Sequence, residues 1–254
     1  MKIAIPTESH DGERRVAASP DTVKAYVKKG LEVLVEAGAG AGASITDDAF
    51  AAAGAKVGKE VLKDADIVLM VRRPSEKQIK SFKSGAVLAS GLEPYGDRAG
   101  LEAIAKAGVT AFAMELMPRI TRAQSMDILS SQANLAGYKA VIDAAYHFTR
   151  AFPMMMTAAG TVPAAKVFIM GVGVAGLQAI ATARRLGAIV SATDVRKATE
   201  EQVKSLGAKF VMTDALKDAS GSGGYARELT QDEQAAQAAL VAGHIAKQDI
   251  VITT

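Results

Sequence analysis

The sequence predicts an α/β protein built from two parallel-sheet domains that a long helix joins. Short apolar runs alternate with helical patterns along nearly all of the 254 residues, which is typical of strands connected by crossover helices. A chain of this length is also more typical of two domains than of one. From Asp127 to Ala151, apolar residues recur at helical spacing for about seven turns, which is too long for a crossover helix. We therefore expect a first domain over residues 1–126, a connecting helix over 127–152 and a second domain over 153–254.

The first domain begins with an apolar run that is followed by a helical pattern. In the segment Asp21–Lys29, the side chains of Val23, Tyr26 and Val27 share one face, and Gly30 follows as a C-cap. Apolar runs and helical stretches then continue to the end of the domain. The predicted strands are Lys2–Pro6, Leu31–Glu36, Asp66–Val71, Ala86–Ser90 and Val109–Met114.

The second domain repeats this alternation after the connecting helix. The predicted strands are Lys166–Met170, Ala188–Thr193, Lys209–Thr213 and the closing run DIVITT. The predicted helices are Ala175–Leu186, Thr199–Leu206 and Gln231–Lys247. A loop rich in glycine, serine and charged residues precedes the last of these helices.

Composition and charge exclude several classes of function. A net charge of +3, spread along the chain, does not predict a nucleic-acid groove. The absence of cysteine excludes disulfides and thiolate metal ligands, and it fits a reducing compartment. The three histidines are isolated and have no metal-ligand spacing, so we expect no metal site.

One apolar stretch has to be tested as a membrane span. Val167–Ala183 is uncharged over 17 residues, which is shorter than the ~20 residues that a spanning helix needs. It contains three glycines and is bounded by Lys166 and Arg184, so a buried strand passing into a helix explains it better. The N-terminal apolar run is too short for a signal peptide. We therefore expect no direct membrane insertion.

The strongest local motif is the glycine triplet Gly171, Gly173 and Gly176, which lies between a predicted strand and a predicted helix. In G-x-G-x-x-G, the first glycine permits a tight turn and the second lets the backbone approach a pyrophosphate. The third allows the helix to pack closely on the strand. The free N–H groups of the helix N-terminus then face the anion. The motif predicts a Rossmann-like dinucleotide domain, and because such domains normally have further strands, we expect this one to be incomplete at its C-terminal end.

The residue that ends the next strand indicates which dinucleotide binds. Asp194 lies where a carboxylate holds the adenosine ribose hydroxyls, and it would repel a 2′-phosphate, which favours NAD(H) over NADP(H). Arg196 is the alternative, because an arginine at this position can accommodate that phosphate. We weight Asp194 more, since it ends the strand, and treat Arg196 as a secondary contact.

Two other glycine-rich stretches have weaker signals. GAGAGAS, Gly38–Ser44, follows a strand but lacks the motif spacing, so we interpret it as a turn before a helix capped near Thr46. SGSGGYAREL, Ser220–Leu229, is either a solvated linker or a mobile lid whose Tyr225 closes over bound nucleotide.

A resemblance to a known family covers nearly the whole chain. The runs MELMPRITRAQSMDILSSQANLAGYKAVIDAAY and FPMMMTAAGTVPAAKVFIMGVGVAGLQAIATARRLGA, with ATDVR, GGYAREL and the final VITT, carry it. They closely resemble the NAD(H)-binding domain I of the alpha subunit of the proton-translocating NAD(P) transhydrogenases. The RITRAQSMDILSSQ run is highly specific. Alanine dehydrogenases share the architecture and the looser ERRVA and GAGAG features, and they are the alternative family.

The resemblance implies a set of site residues, by position in this sequence. The loop at the nicotinamide would contain Arg119, Ile120, Thr121, Gln124 and Asp127, with Ser130 beside it, while Arg122 either contacts the cofactor or shapes the loop. Backbone contacts to the pyrophosphate would come from Val174, Ala175 and Gly176, and the adenosine ribose would be surrounded by Asp194, Val195 and Arg196. Positions in and after the predicted lid are Gly224, Tyr225 and Gln237.

The residue types of the loop agree with this reaction. Direct hydride transfer between two nicotinamides moves no proton at the reacting carbons, so it needs positioning and electrostatic support without an acid or base. Arg119, Gln124 and Asp127 suit that role, whereas reduction of pyruvate to an amino acid needs a proton donor such as lysine or histidine. Arg15 is shared with the dehydrogenases, but Arg72 lies where they have a lysine, and LASGLEPYGD contains no histidine.

The resemblance also implies the cofactors and partners. We expect NAD(H) on this chain, NADP(H) on a partner domain, and a membrane domain that couples hydride transfer to proton translocation. A homodimer is expected, at the cytoplasmic side of the inner membrane and attached there through partner subunits. A second hypothesis is a module that senses NAD or supports assembly without catalysing hydride transfer.

Overall fold

A computed structural model describes residues 1–213, 219 and 227–254. The chain divides into two compact units, Met1–Asp127 and Ile128–Thr254. Each unit contains a parallel sheet, so the predicted α/β class is confirmed. Within the described residues, no helix combines the length and the apolar character that crossing a bilayer requires.

The first unit contains a six-stranded sheet in which every neighbouring pair of strands is parallel. The strands are β1 (Lys2–Ile5), β2 (Glu32–Glu36), β3 (Lys56–Gly58), β4 (Ile67–Leu69), β5 (Val87–Ser90) and β6 (Thr110–Ala113), in the order β3-β2-β1-β4-β5-β6. The helices are α1 (Pro20–Lys28), α2 (Asp47–Ala52), α3 (Glu76–Ile79) and α4 (Arg98–Lys106). This is the doubly wound order, with its switch point between β1 and β4.

Side chains that alternate along β1 explain why both faces of this sheet are covered. Ile3 and Ile5 belong to one apolar cluster together with Val23 of α1, whereas Ala4 belongs to a second cluster with Ile104 of α4. Successive side chains of a strand point to opposite faces, so β1 contributes to both layers of the core. Near-continuous apolar strands are typical of a parallel sheet that helices cover on both sides.

Local capping explains where the helices of the first unit begin. Ser19 caps α1 and accepts a hydrogen bond from the N–H of Thr22, and Pro20 opens the helix. Thr46 caps α2 in the same way after a short 3₁₀ turn in the GAGAGAS stretch. β3 was not predicted, because Lys56–Gly58 contains a single apolar residue and therefore no readable alternation.

The second unit begins with a long helix and ends with a strand. Its helices are α5 (Ile128–His147), α6 (Val174–Arg185), α7 (Glu200–Ser205) and α8 (Gln231–Ile245). Its strands are β7 (Met155–Thr157), β8 (Gly160–Val162), β9 (Lys166–Met170), β10 (Ile189–Thr193), β11 (Lys209–Phe210) and β12 (Ile250–Thr253). The parallel sheet has the order β11-β10-β9-β12 among the described strands, and β7 and β8 form a separate antiparallel hairpin.

The long helix α5 is part of the second unit. It ends at His147, four residues before the predicted Ala151, because Pro153 disfavours helical backbone at the residue before it. Its buried residues Gly137 and Val141 lie one turn apart on one face. The helix packs against α6, and at Gly137 the two backbones come so close that a Cβ atom would overlap the carbonyl oxygen of Ala175.

We predict that Gly137→Ala destabilises the second unit. The added methyl group must push α5 away from α6, which costs about 1–3 kcal/mol in a packed interior. Gly243 is the matched control, because it also lies inside a helix but has no neighbour within 4 Å of a built Cβ atom. Gly243→Ala should stabilise the protein by about 0.4–1 kcal/mol. Urea unfolding of the two variants checks both signs, and equal midpoints would contradict the proposed packing constraint.

Candidate functional site

The glycine triplet forms a tight cradle between β9 and α6. Gly171 has a φ of +96°, and a Cβ atom there would lie 2.5 Å from the carbonyl oxygen of Thr254. A Cβ atom on Gly176 would overlap the carbonyl oxygen of Gly171. Both positions are therefore restricted to glycine by the protein's own backbone.

Gly173 differs from the other two glycines. A Cβ atom on Gly173 would have no neighbour within 4 Å, and the residue is solvent exposed with an ordinary negative φ. The fold itself therefore has space for a side chain here. In this motif the second glycine is the one whose missing side chain admits a pyrophosphate, so the geometry fits a ligand that approaches Gly173 from outside.

The beginning of α6 supplies the donors for an anion. Val174 is exposed, Ala175 is half-buried, and their N–H groups belong to the first turn of a 12-residue helix whose N-cap Gly173 has no side chain. The N–H groups of a first turn have no partners within the helix, and the helix dipole adds a partial positive charge at this end. A phosphate is the kind of group that such a helix end binds.

Asp194 follows β10 and lies beside the glycine turn, where it accepts four hydrogen bonds. Its Oδ2 atom accepts from the N–H of Val172 and from Nη2 of Arg196, both at 2.8 Å. Its Oδ1 atom accepts from the backbone N–H and from Nε of Arg196, also at 2.8 Å. Burial opposes ionisation of this carboxyl, but the bonds from Arg196 and Val172 outweigh it and hold the pKa of Asp194 below its ordinary value. The carboxylate is therefore charged and bound to the chain itself.

The pairing of Asp194 differs from the prediction in one respect. From the sequence, Asp194 is expected to hold the ribose and Arg196 to make a separate, secondary contact. In the structure the two side chains form one forked ion pair, with 7% of the Asp194 side chain and 20% of the Arg196 side chain exposed. The carbonyl oxygen of Val195 accepts from the N–H of Ala219, which secures the backbone beyond this pair.

α8 docks on β10 through two polar contacts. Gln237 donates from Nε2 to the hydroxyl of Thr193 at 2.9 Å, and His244 contacts the hydroxyl of Ser191 through Nε2 at 2.8 Å. The two helix residues are seven positions apart and so share a face, and the two strand residues are two apart and also share a face. Gln237 is thereby held near the end of β10, and its buried Oε1 atom has no hydrogen-bond partner among the described residues.

The N-terminus of α8 has a charged anchor of its own. Glu233 accepts hydrogen bonds from both Nη atoms of Arg227, at 2.7 and 2.9 Å, and it also completes a capping box with Thr230. The hydrogen bond from Arg227 lowers the pKa of Glu233 to about 2. Gly224 and Tyr225, which are predicted to belong to a lid or a linker, lie outside the described residues.

The predicted nicotinamide loop belongs to the first unit. It is a 3₁₀ helix, Thr121–Met126, whose buried Ala123 anchors it. Its polar side chains Arg119, Thr121, Arg122 and Gln124 are exposed, as is Ile120, whereas Asp127 is half-buried. Ser130 is half-buried in the first turn of α5. The loop thus presents its polar groups outward from a single apolar anchor.

A cluster of charged residues at the carboxyl end of β1 and β4 was not predicted. Glu8 accepts hydrogen bonds from the N–H groups of Val71 and Arg72, at 2.6 and 3.1 Å. Burial raises the pKa of Glu8 above its ordinary value, although the two N–H groups act in the opposite direction. A lone glutamate in the polar run PTESHDGE has no sequence signature that would indicate this position.

The two arginines discussed for substrate binding are paired with nearby carboxylates. Arg15 forms a fork with Glu13, at 2.6 and 2.7 Å, and Arg72 binds Glu93 at 2.7 Å. The hydrogen bond from Arg15 lowers the pKa of Glu13 to about 2. No cluster of three or more metal-ligating side chains occurs within the part of the chain that the structure describes.

Comparison with known proteins decides the family. The model of the alanine dehydrogenase/PNT N-terminal domain matches residues 4–136, and that of the alanine dehydrogenase/PNT C-terminal domain matches residues 140–254. The chain belongs to the alanine dehydrogenase/PNT family. Its predicted resemblance to that family is therefore confirmed, and the family implies NAD(H) binding by Rossmann-like domains.

Within the alanine dehydrogenase/PNT family, the chain is more similar to transhydrogenases than to alanine dehydrogenases. It is 58% identical to the first of the proteins that make up NAD(P) transhydrogenase subunit alpha in Rhodospirillum rubrum, over 100% of this chain and 69% of that protein. The structure of a transhydrogenase from Sinorhizobium meliloti superimposes with a TM-score of 0.91 at 59% identity, over 100% of this chain and 69% of that one. The alanine dehydrogenase of Mycobacterium tuberculosis is 33% identical, over 83% of this chain and 57% of that protein.

The docking of α8 should depend on pH through His244. Burial lowers the pKa of His244, as do Lys209 and Lys247, whereas an unfolded histidine titrates near pH ~6.5. Between the two values the unfolded chain binds more protons, so stability is fully present above the unfolded pKa and falls as the pH is lowered through it. Thermal unfolding from pH 7.5 to 5.5 should therefore show a smaller loss in His244→Gln than in the natural protein.

His147 provides the control for this pH dependence. It is an exposed residue at the end of α5, so His147→Gln should retain the pH dependence of the natural protein. If His244→Gln retained it as well, α8 would not be docked through a neutral imidazole.

Proposed function

We propose that the chain is the NAD(H)-binding component of a proton-translocating NAD(P) transhydrogenase. In this proposal, NADH bound to the second unit transfers hydride directly to NADP⁺ held on a partner domain, and a membrane domain couples the transfer to proton translocation. The chain would act as a homodimer, peripheral to the inner membrane on its cytoplasmic side through partner subunits. The relatives named subunit alpha support the expectation of partner subunits.

The observation that carries the cofactor part of this proposal is the difference between the three glycines. The fold itself requires Gly171 and Gly176, but nothing in the protein approaches the side of Gly173 where a side chain would project. A pyrophosphate at Gly173, bound by the N–H groups of Val174 and Ala175, accounts for glycine at that position. When bound, the nicotinamide would supply the hydride, and the protein would supply position and electrostatics.

The residues assigned to the reaction have no acid or base among them. The loop from Arg119 to Asp127 contains arginine, glutamine and aspartate but no lysine, histidine or cysteine. Guanidinium and amide groups can hold a carboxamide and a ribose, and Asp127 can orient the arginine, so these groups suit positioning. The half-buried Ser130 would assist beside the loop.

An amino-acid dehydrogenase is the weaker alternative for this chain. Such an enzyme needs a cation that holds the substrate carboxylate and a proton donor for the reacting centre. Here Arg15 is paired with Glu13, and Arg72 is paired with Glu93. A substrate carboxylate would have to compete with these pairs, which argues against binding at this position.

We predict that Gln124→Asn separates hydride transfer from binding. The affinity for NADH should change little, because the proposed pyrophosphate and ribose contacts involve other residues. Hydride transfer to the partner's nucleotide should fall by ~100-fold or more, since a small displacement of the reacting carbons is costly. Calorimetry gives the first quantity, and single-turnover transfer with the NADP-binding domain gives the second.

Gln202→Asn is the matched control, because Gln202 is an exposed glutamine of α7. It should retain the natural rate of transfer. The natural protein should also show a transfer step that is flat from about pH 6 to 8, as arginine, glutamine and aspartate have no reference pKa there. A bell-shaped profile for that step, or no transfer at all, would return the chain to the dehydrogenase or the NAD-sensing hypothesis.

A further prediction concerns Asp194→Asn. Loss of the charged acceptor should weaken NADH binding by about 1–3 kcal/mol and reduce the preference for NADH over NADPH. Asp232→Asn, at an exposed position in the first turn of α8, should leave both affinities unchanged. Equal or tighter binding of NADPH to the natural protein would contradict the assignment of Asp194 to the ribose.

A further inference from the structure

The acceptor positions of Asp194 are fully occupied within the chain. A carboxylate oxygen accepts about two hydrogen bonds, so a carboxylate accepts about four. Each oxygen of Asp194 already accepts two, and all four bonds are 2.8 Å long. A ribose that donates hydrogen bonds to Asp194 must therefore displace some of the present donors.

The four donors differ in whether they can leave. Two are backbone N–H groups, of Val172 and Arg196, and these are fixed by the turn after β9 and by the chain after β10. The other two are Nε and Nη2 of the Arg196 side chain, which is 20% exposed and also donates to the carbonyl oxygen of Val172 at 3.3 Å. Rotation about the side-chain bonds of Arg196 removes these two donors without moving the backbone.

The adenosine ribose of NADH offers the same number of donors that the guanidinium would withdraw. Its 2′- and 3′-hydroxyls can each donate one hydrogen bond, so the diol replaces the fork on Asp194 two for two. NADPH has a 2′-phosphate instead, which has no comparable donor and carries a negative charge. That phosphate cannot replace the guanidinium, and it is attracted to an arginine that stays in place.

We propose that Arg196 sets the dinucleotide specificity of this site by competing with the ribose diol for Asp194. With Arg196 on Asp194, the carboxylate charge is neutralised, so NADPH is repelled less than Asp194 alone would repel it. With Arg196 displaced, both oxygens receive the diol of NADH. Arg196 therefore lowers the affinity for NADH and weakens the discrimination against NADPH. This inference rests on the proposed NADH site.

The test compares the dissociation constants of NADH and NADPH in Arg196→Met. Methionine keeps an unbranched apolar side chain but has no donor and no charge. The ratio of the NADPH constant to the NADH constant should rise about tenfold, which corresponds to about 1.4 kcal/mol. NADH itself should bind more tightly, because no intramolecular partner has to be displaced. Damage to the fold would act in the opposite direction, since it would weaken both ligands and leave their ratio unchanged.

Two further variants complete the experiment. Arg185→Met makes the same change of charge at an exposed arginine in the last turn of α6, and it should keep the natural ratio at the same ionic strength. Arg196→Gln keeps a donor for Asp194 but removes the charge, so its ratio should lie between those of the natural protein and Arg196→Met. It also decides the proposal if Arg196→Met does not fold.

The outcomes separate this inference from the proposed function. If the natural protein does not bind NADH, the proposed function fails and the role of Arg196 fails with it. If it binds NADH but the ratio stays the same or falls in both Arg196 variants, the competition is wrong while the proposed function stands. A higher ratio with tighter NADH binding supports the competition.

Discussion

Close contact between backbones at the start of α6 is the constraint on which the second unit depends. A side chain on Gly137 would overlap Ala175, a side chain on Gly176 would overlap Gly171, and a side chain on Gly171 would overlap Thr254. α5, α6 and the end of β12 thus all meet the turn after β9 without intervening side chains. Packing of this kind leaves little freedom for the turn, so the N–H groups at the start of α6 are held in place by their surroundings.

The two units show why the fold alone does not make a nucleotide site. In the first unit, Glu36 at the end of β2 accepts from the N–H of Thr7 at 2.7 Å, just as Asp194 accepts from Val172 at 2.8 Å. Thr7 and Val172 each lie two residues beyond the end of the first strand of their sheet. In the first unit, however, Glu8 occupies the N–H groups at the switch point. An anionic ligand would meet a carboxylate there, whereas the second unit has a glycine turn.

The parts of the fold that could be predicted from the sequence are those with strong periodicity or strong capping. The succession of β9, α6 and β10 was predicted to within a residue or so, because apolar runs flank a motif with a known turn geometry. The hairpin of β7 and β8 was missed, since its strands have three residues each, all exposed, and show no alternation. The positions of the site residues along the chain followed from the motif and the resemblance. The fork between Arg196 and Asp194 did not, because it depends on which rotamer the arginine adopts, and a sequence does not record that.

The pair of Asp194 and Arg196 connects the stability of the protein with the binding of its cofactor. A buried carboxylate must be satisfied, because an unpaired charge in a low-dielectric environment is strongly destabilising. Arg196 meets this requirement when no ribose is present, and it does so with a side chain that can leave. A fixed backbone donor in its place would stabilise the fold equally well but would exclude the ribose. The site therefore needs a removable partner for Asp194, and part of the binding free energy of any ribose is used to displace it. Affinity at this position is the difference between two sets of hydrogen bonds to one carboxylate, so it depends on Arg196 as much as on Asp194.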